Sequence, residues 1–229
     1  VLKNRSVSVI STGMGTDNID IVFNELDALF NLELNTGKPL KSPTSLTFIR
    51  LGTSGTIQAN IELDSLIVAE AAIGFDNLMH YYEPSMCEHP IAVLLQSKLG
   101  MSKNLNHPYY IDGDSILVDD CLKLGMSKGI IVTNPGFYAP QGRHLRTKNI
   151  LPYDLNEFLH FNYKDSIITN FDMETSGIYG LSHVMGHRSI SISAILANRF
   201  HSTFSNQTDK TVFEMIEKVT NAIKNGFFL

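Results

Sequence analysis

Short runs rich in β-branched residues alternate along this chain with stretches whose apolar residues recur at helical spacing, and that alternation limits the possible folds more than any other feature. Residues 6–10, 46–51, 66–73, 129–133, 166–170 and 189–196 read as strands. Between them Ile19, Val22, Phe23, Leu26, Leu29 and Phe30 repeat on one helical face, with Asp17 or Asn18 as the expected N-cap. Residues 92–99, 155–161 and 173–185 continue the helical pattern. A last amphipathic helix is expected over 211–223, with Val212, Met215, Ile216, Val219 and Ile223 on its apolar face. Residues 36–45 are mostly polar, carry two prolines and read as a loop. Such an order predicts an α/β sheet with helices on both faces. With 229 residues and no repeat or linker, one domain over 1–229 is the simplest organisation.

Composition excludes several classes of function. The net charge is −5 and there is no Lys/Arg-rich run, which argues against nucleic acid as a partner. No apolar run has the length of a membrane span, and no signal-peptide pattern opens the chain. The two cysteines, Cys87 and Cys121, stand in separate contexts and form no metal-ligand pair. Free thiols in a reducing, cytoplasmic setting are the expectation. The chain begins at Val1-Leu2-Lys3-Asn4-Arg5 without Met and moves at once into strand-like sequence. The expectation drawn from this is an N-terminus that is truncated or incompletely represented, with natural processing as the alternative.

Two strands are expected to end in glycine-bearing polar loops, Ser11-Thr12-Gly13-Met14-Gly15 and Gly52-Thr53-Ser54-Gly55. Ligands of open α/β folds gather at strand ends, and glycine lets the backbone approach an anion. A pair of tight turns would need the same residues, and neither loop matches a P-loop or dinucleotide fingerprint. Arg50 narrows the second loop. It stands in an otherwise apolar strand, where a guanidinium must meet either an internal carboxylate or a bound anion. Its position beside Gly52, Thr53 and Gly55 favours the anion.

The segment Gly136-Phe137-Tyr138-Ala139-Pro140-Gln141-Gly142-Arg143 offers a second polar constellation. If it is extended, Gln141 and Arg143 point the same way, and their donors and acceptor complement the edge of uracil. Phe137 supplies a flat face for a ring or a sugar. A surface turn with a solvated arginine fits the same residues. Asp172 and Glu174 open a helix, where acidic residues compensate the helix dipole. Glu174 could also accept two hydroxyls of a ribose diol.

Taken in order, Ser11-Thr12-Gly13-Met14-Gly15, Phe48-Ile49-Arg50-Leu51-Gly52-Thr53-Ser54-Gly55, Phe137 with Gln141 and Arg143, Asp172-Met173-Glu174-Thr175-Ser176 and Ile195-Leu196-Ala197-Asn198-Arg199 resemble the hexamer-forming nucleoside phosphorylase family, and within it the uridine-cleaving members. The resemblance covers essentially the whole chain. It implies a single-domain, twisted mixed sheet flanked by helices. It also implies a pentosyltransferase that uses inorganic phosphate as co-substrate, without metal or organic cofactor, on a pyrimidine nucleoside. By position, Arg50 and Thr53 would hold phosphate. Phe137, Gln141, Arg143, Leu196 and Ala197 would surround the base, with Arg199 steadying the base-reading loop. Met173 and Glu174 would hold the ribose. Arg50, Arg143 and Glu174 are the expected catalytic residues.

Purine-cleaving phosphorylases and nucleosidases of the superfamily carry an acid after the last strand. Leu196-Ala197-Asn198-Arg199 has none, which favours a pyrimidine. The family also carries a phosphate-binding segment ahead of the first strand that does not occur among these residues. Its habit of assembly implies a homodimer or hexamer. A purine phosphorylase or nucleosidase, a non-catalytic nucleoside-binding protein, and a structural protein of the same fold are the alternatives.

Overall fold

The computed structural model describes residues 6–101, 107–151, 153–163 and 166–228. The chain opens into helix α1 (Thr16–Asn31), followed by a small hairpin of β1 (Leu32–Glu33) and β2 (Lys38–Pro39). Then come β3 (Thr47–Thr56), β4 (Leu66–Gly74), α2 (Met79–Tyr82), α3 (Pro90–Leu99), β5 (Tyr109–Asp112), α4 (Ser115–Lys123) and β6 (Ser127–Thr133). The remainder holds α5 (Asn156–Leu159), β7 (Asn162–Tyr163), β8 (Ser166–Asp172), α6 (Thr175–Met185), β9 (Arg188–Asn198), β10 (Thr203–Phe204) and α7 (Thr208–Lys224).

The main sheet is mixed and runs β10-β9-β3-β8-β6-β4-β5, with β7 appended to β8. β3 lies parallel to β9 from Thr47 opposite Arg188 to Thr56 opposite Asn198. β6 lies parallel to both β4 and β8. β3 crosses β8 antiparallel at Gly55 opposite Phe171. β4 also pairs with β9, from Leu66 opposite Ala194 to Val68 opposite Ile192. That last pairing closes β9, β3, β8, β6 and β4 into a ring. The expected twisted mixed sheet is therefore present and goes further, because a closed ring leaves these strands no free edge.

Helices pack on the ring through three apolar clusters. One joins Val68, Ile190, Ile192 and Ala194 to Leu117, Val118 and Cys121 of α4 and to Met215, Val219 and Ala222 of α7. In α7 the buried positions Thr211, Met215, Val219 and Ala222 follow the helical period, while Ile216 turns outward. A second cluster sets Ile19 and Phe23 of α1 against Ile178 and Leu181 of α6. The third covers β6 and β8 with α3 and Phe158.

Several expectations need correction. Residues 6–10 form no strand: Val7, Val9 and Ile10 are exposed and pair with no other strand among the described residues. A β-branched run becomes a strand only when a neighbouring backbone accepts its hydrogen bonds. Gly52-Thr53-Ser54-Gly55 is not a loop after a strand but part of β3, which β9 pairs to its end, with a register shift between Ser54 and Gly55. Gly15 rather than Asp17 or Asn18 stands at the N-cap of α1. The expected helix over 155–161 shrinks to the single turn α5, and the loop over 36–45 includes β2. β5 and α4 were not anticipated, although Asp114 carries a cap signal and accepts the N–H groups of Ile116 and Leu117 at 3.0 Å each. The segment 1–5 lies outside the described residues.

Candidate active site

Two groups of the expected site residues come together: Arg50 with Glu174, and Phe137 with Gln141, Arg143 and Arg199. Arg50 projects from β3 and folds along its own strand over Gly52. A Cβ at Gly52 would overlap the guanidinium, so the glycine is what lets the arginine lie there. Its Nη2 reaches Glu174 Oε2 at 2.5 Å and Asp172 Oδ2 at 3.6 Å, and its Nη1 reaches Ser191 Oγ at 3.4 Å. Burial pulls the Arg50 pKa down, but the charges of Asp172 and Glu174 outweigh it and the net shift is upward. Arg50 thus meets internal carboxylates, one of the two partners its sequence position demanded.

The two carboxylates have different work. Asp172 is buried and committed to the fold. Its Oδ1 accepts the Thr133 hydroxyl at 2.7 Å, and its Oδ2 accepts the Thr175 N–H at 3.0 Å and the Thr175 hydroxyl, which caps the start of α6. Glu174 turns the other way. Its Oε1 accepts the backbone N–H of Gly15 at 2.8 Å. Gly15 has φ 96°, a conformation that favours glycine, so the first glycine loop does bring its backbone to an anion, and that anion is the protein's own. Met173 is half-buried between these acids, and Thr53 is exposed three residues beyond Arg50.

The second half of the site follows β6. The Asn134 N–H donates to Asp172 O at 2.9 Å and ties the loop to β8. The loop is not extended as expected. Ala139–Gln141 form a 3-10 turn, Gly142 follows at φ 73°, and the Arg143 N–H returns to Tyr138 O at 2.8 Å. Gln141 and Arg143 still meet, because the turn folds one onto the other: Arg143 Nη1 donates to Gln141 Oε1 and, at 2.9 Å, to Phe137 O. The Arg143 guanidinium lies 4.0 Å above the Phe137 ring, itself half exposed.

Arg199, the residue after β9, supports this loop. Its Nη2 donates to Gln141 O at 2.5 Å, and its guanidinium carbon sits 5.2 Å from the Phe171 ring centre. Its Nη1 is buried without a hydrogen-bond partner. Burial, and then the charge of Arg143, push the Arg199 pKa down to about 10. Neither guanidinium pairs with a carboxylate among the described residues, so this half of the site is rich in donors and poor in negative charge.

Ala197 and Arg199 share a neighbour in Gly55: a Cβ there would lie 3.4 Å from Ala197 Cβ and 3.8 Å from Arg199 Cγ. Leu196, expected beside Ala197, instead packs into the cluster formed with α4 and α7. Successive strand residues face opposite sides, so Leu196 and Ala197 do not share a face of β9. Asn198 is buried and donates to Gln58 O at 3.1 Å and Ile61 O at 3.0 Å. Ser191 and Thr133, which hold Arg50 and Asp172, were not anticipated. Isolated hydroxyls on strands carry no pattern in sequence. Among the described residues no group of His, Cys, Asp and Glu could hold a metal ion, and no helix is long and apolar enough to cross a membrane. Cys87 and Cys121 are buried free thiols.

Comparison with known proteins bears directly on this geometry. Residues 1–225 match the family described as the phosphorylase superfamily. The uridine phosphorylase of Thermococcus kodakarensis is 28% identical over 211 residues, covering 91% of this chain, and the chain spans 64% of that protein's length. A DeoD-type purine nucleoside phosphorylase of Bacillus thuringiensis is 25% identical over 226 residues, 96% of this chain and 76% of its own. Among solved structures, a Trypanosoma brucei nucleoside phosphorylase described as showing uridine phosphorylase activity superposes with a TM-score of 0.82 at 25% identity, covering 95% of this chain and 80% of that one.

Proposed function

The chain belongs to the phosphorylase superfamily, and on that premise we propose that it is a nucleoside phosphorylase that converts uridine and phosphate to uracil and ribose 1-phosphate. The observation that carries this reading is the donor-rich cluster of Gln141, Arg143 and Arg199 beside the Phe137 ring. As the glycosidic bond stretches, the sugar becomes positive and the departing uracil negative. Preorganised donors aimed at the uracil oxygens stabilise that charge where it accumulates. Phe137 and Ala197 flank the ring. Gln141 Oε1 keeps a lone pair for the ring N–H while Arg143 occupies the other.

Arg50 and Thr53 hold the attacking phosphate, which also stabilises the positive sugar. Met173 lines the ribose and Glu174 takes its hydroxyls, an orientation effect. Inorganic phosphate is the co-substrate, and the chemistry calls for no metal or organic cofactor. We read the protein as cytoplasmic, in keeping with its two buried thiols, and as a homodimer or hexamer.

A purine substrate is the second reading, because DeoD-type purine phosphorylases are among the relatives. Residues 196–199 hold no acid to protonate a purine, and the Asn198 amide is already committed to Gln58 and Ile61. The test is loss of uridine, inosine and thymidine, each with and without phosphate. Phosphate-dependent loss of uridine is expected. Turnover of inosine would establish the purine reading, and binding without product a non-catalytic role.

A further inference from the structure

Asp76 follows β4 and is a carboxylate buried to 5% exposure, with no cation paired to it among the described residues. Hydroxyls and one amide surround it instead. Tyr109 Oη stands 2.8 Å from both carboxylate oxygens, Ser176 Oγ donates to Oδ2 at 2.8 Å, and the Leu78 N–H donates to Oδ1 at 3.0 Å. Tyr109 Oη and Ser176 Oγ also lie 2.8 Å apart. The arrangement is built into the sheet. Gly74 stands opposite Tyr109 in register, and a Cβ there would overlap the tyrosine ring.

Ser176 sits in the first turn of α6, two residues after Glu174. Its N–H donates to Thr133 Oγ1 at 2.9 Å, and the Thr133 hydroxyl donates to Asp172 Oδ1. The first turn is therefore gripped on both sides of Glu174, by Asp172 before it and by Asp76 after it. Among the described residues Glu174 shares no hydrogen bond with Asp76: its oxygens meet the Gly15 N–H and Arg50, while Asp76 meets Ser176, Tyr109 and Leu78. A buried carboxylate without a cation is costly, and Asp76 holds the first turn of α6 through Ser176 Oγ, directly and through Tyr109 Oη, which lies 2.8 Å from the same hydroxyl.

We propose that Asp76 is a positioning residue for Glu174, setting the direction of that carboxylate through Ser176 and the first turn of α6. The inference rests on the reading that Glu174 takes the ribose hydroxyls. Its consequence is specific: Asp76 governs the preference for a ribonucleoside over its 2′-deoxy counterpart, because the 2′-hydroxyl rewards a correctly aimed acceptor and a deoxysugar does not.

The experiment compares kcat and KM for uridine and 2′-deoxyuridine, at saturating phosphate, in the full-length protein and its Asp76→Asn, Tyr109→Phe and Glu174→Gln variants. Asparagine keeps the shape of the aspartate but not its charge. In Asp76→Asn the uridine preference in kcat/KM should fall by about tenfold or more, through uridine rather than deoxyuridine, since small misplacements of an orienting group cost that much. Tyr109→Phe should move the preference the same way by a smaller factor. A folded Asp76→Asn protein with an unchanged preference, beside a Glu174→Gln protein that has lost it, overturns the inference and leaves the reading of Glu174 intact. If Asp76→Asn does not fold, Tyr109→Phe decides by the same criterion. An unchanged preference in Glu174→Gln overturns the reading and the inference with it.

Discussion

Arg50 and Glu174 stand 124 residues apart in the chain, yet Nη2 of one lies 2.5 Å from Oε2 of the other. The pair joins β3 to the start of α6, and so joins the expected phosphate residue to the expected ribose residue. Glu174→Gln removes the charge and leaves the shape. Asp172, 3.6 Å from Arg50, then remains as the nearest acid. Uridine phosphorolysis should fall about a hundredfold or more, as when a charge-aimed group is removed. The loss of stability should stay below the roughly 3–5 kcal/mol of a fully uncompensated buried charge. Steady-state kinetics and denaturant unfolding measure the two effects separately.

Gly52→Ala should impair phosphate use and lower stability without unfolding the protein. The new Cβ meets only the end of the Arg50 side chain, which can swing aside, and Gly52 needs no special backbone angle. What is lost is the place the guanidinium occupies. The KM for phosphate should rise by about tenfold or more, and the Tm should fall, because the displaced guanidinium leaves Glu174 and Asp172 without their cation. A phosphate titration and a melting curve on the same sample check this.

Arg143→Ala should cut uridine turnover by about a hundred- to a thousandfold. The variant strips Phe137 of its cationic cover and Gln141 of the donor that holds its Oε1. Arg143→Lys should restore little, because an ammonium cannot reproduce the fork that reaches Phe137 O and Gln141 Oε1 together while lying flat on a ring. Turnover of uridine in the two variants measures the difference.

Asp64 predicts an acid limb in stability. Hydrogen bonds from Ser205, Thr211 and Gln207 hold its pKa below the ordinary value and tie the segment before β4 to the start of α7. A carboxyl lowered by folding stabilises above its unfolded pKa of about 3.9, and that contribution is lost as pH falls through the folded value. Asp64→Asn should therefore be less stable at pH 7, and the difference should close in acid below about pH 4. Asparagine accepts the φ of 63° found there, so backbone strain does not confuse the comparison. Unfolding curves across pH follow the difference directly.

Strands and helices with strong local periodicity are legible in the amino-acid sequence. β4, β6, β8, β9, α3, α6 and α7 fall where β-branched runs and helical spacing place them, within a few residues. β5 escapes because four residues hold too little pattern. The run at 6–10 misleads because its composition suits a strand while no other strand pairs with it among the described residues. Gly52 to Gly55 misleads for the opposite reason. Glycines that read as a turn are held in a strand by the pairing of β3 with β9, which runs to Thr56 through an irregularity between Ser54 and Gly55.

From the sequence alone came the α/β class, the polar residues worth watching, and the missing acid near Ala197. Each is a property of residue type and spacing, which local physics can read. Tertiary structure alone decided that the ring closes, that Arg50 meets Glu174, that Leu196 packs against α4 and α7 while Ala197 lies beside Gly55, and that a turn rather than an extended segment joins Gln141 to Arg143. Those relations depend on which distant backbones pair and which side chains share a burial. No local pattern encodes that, because the free energy of a contact between distant segments exists only once the chain between them has folded.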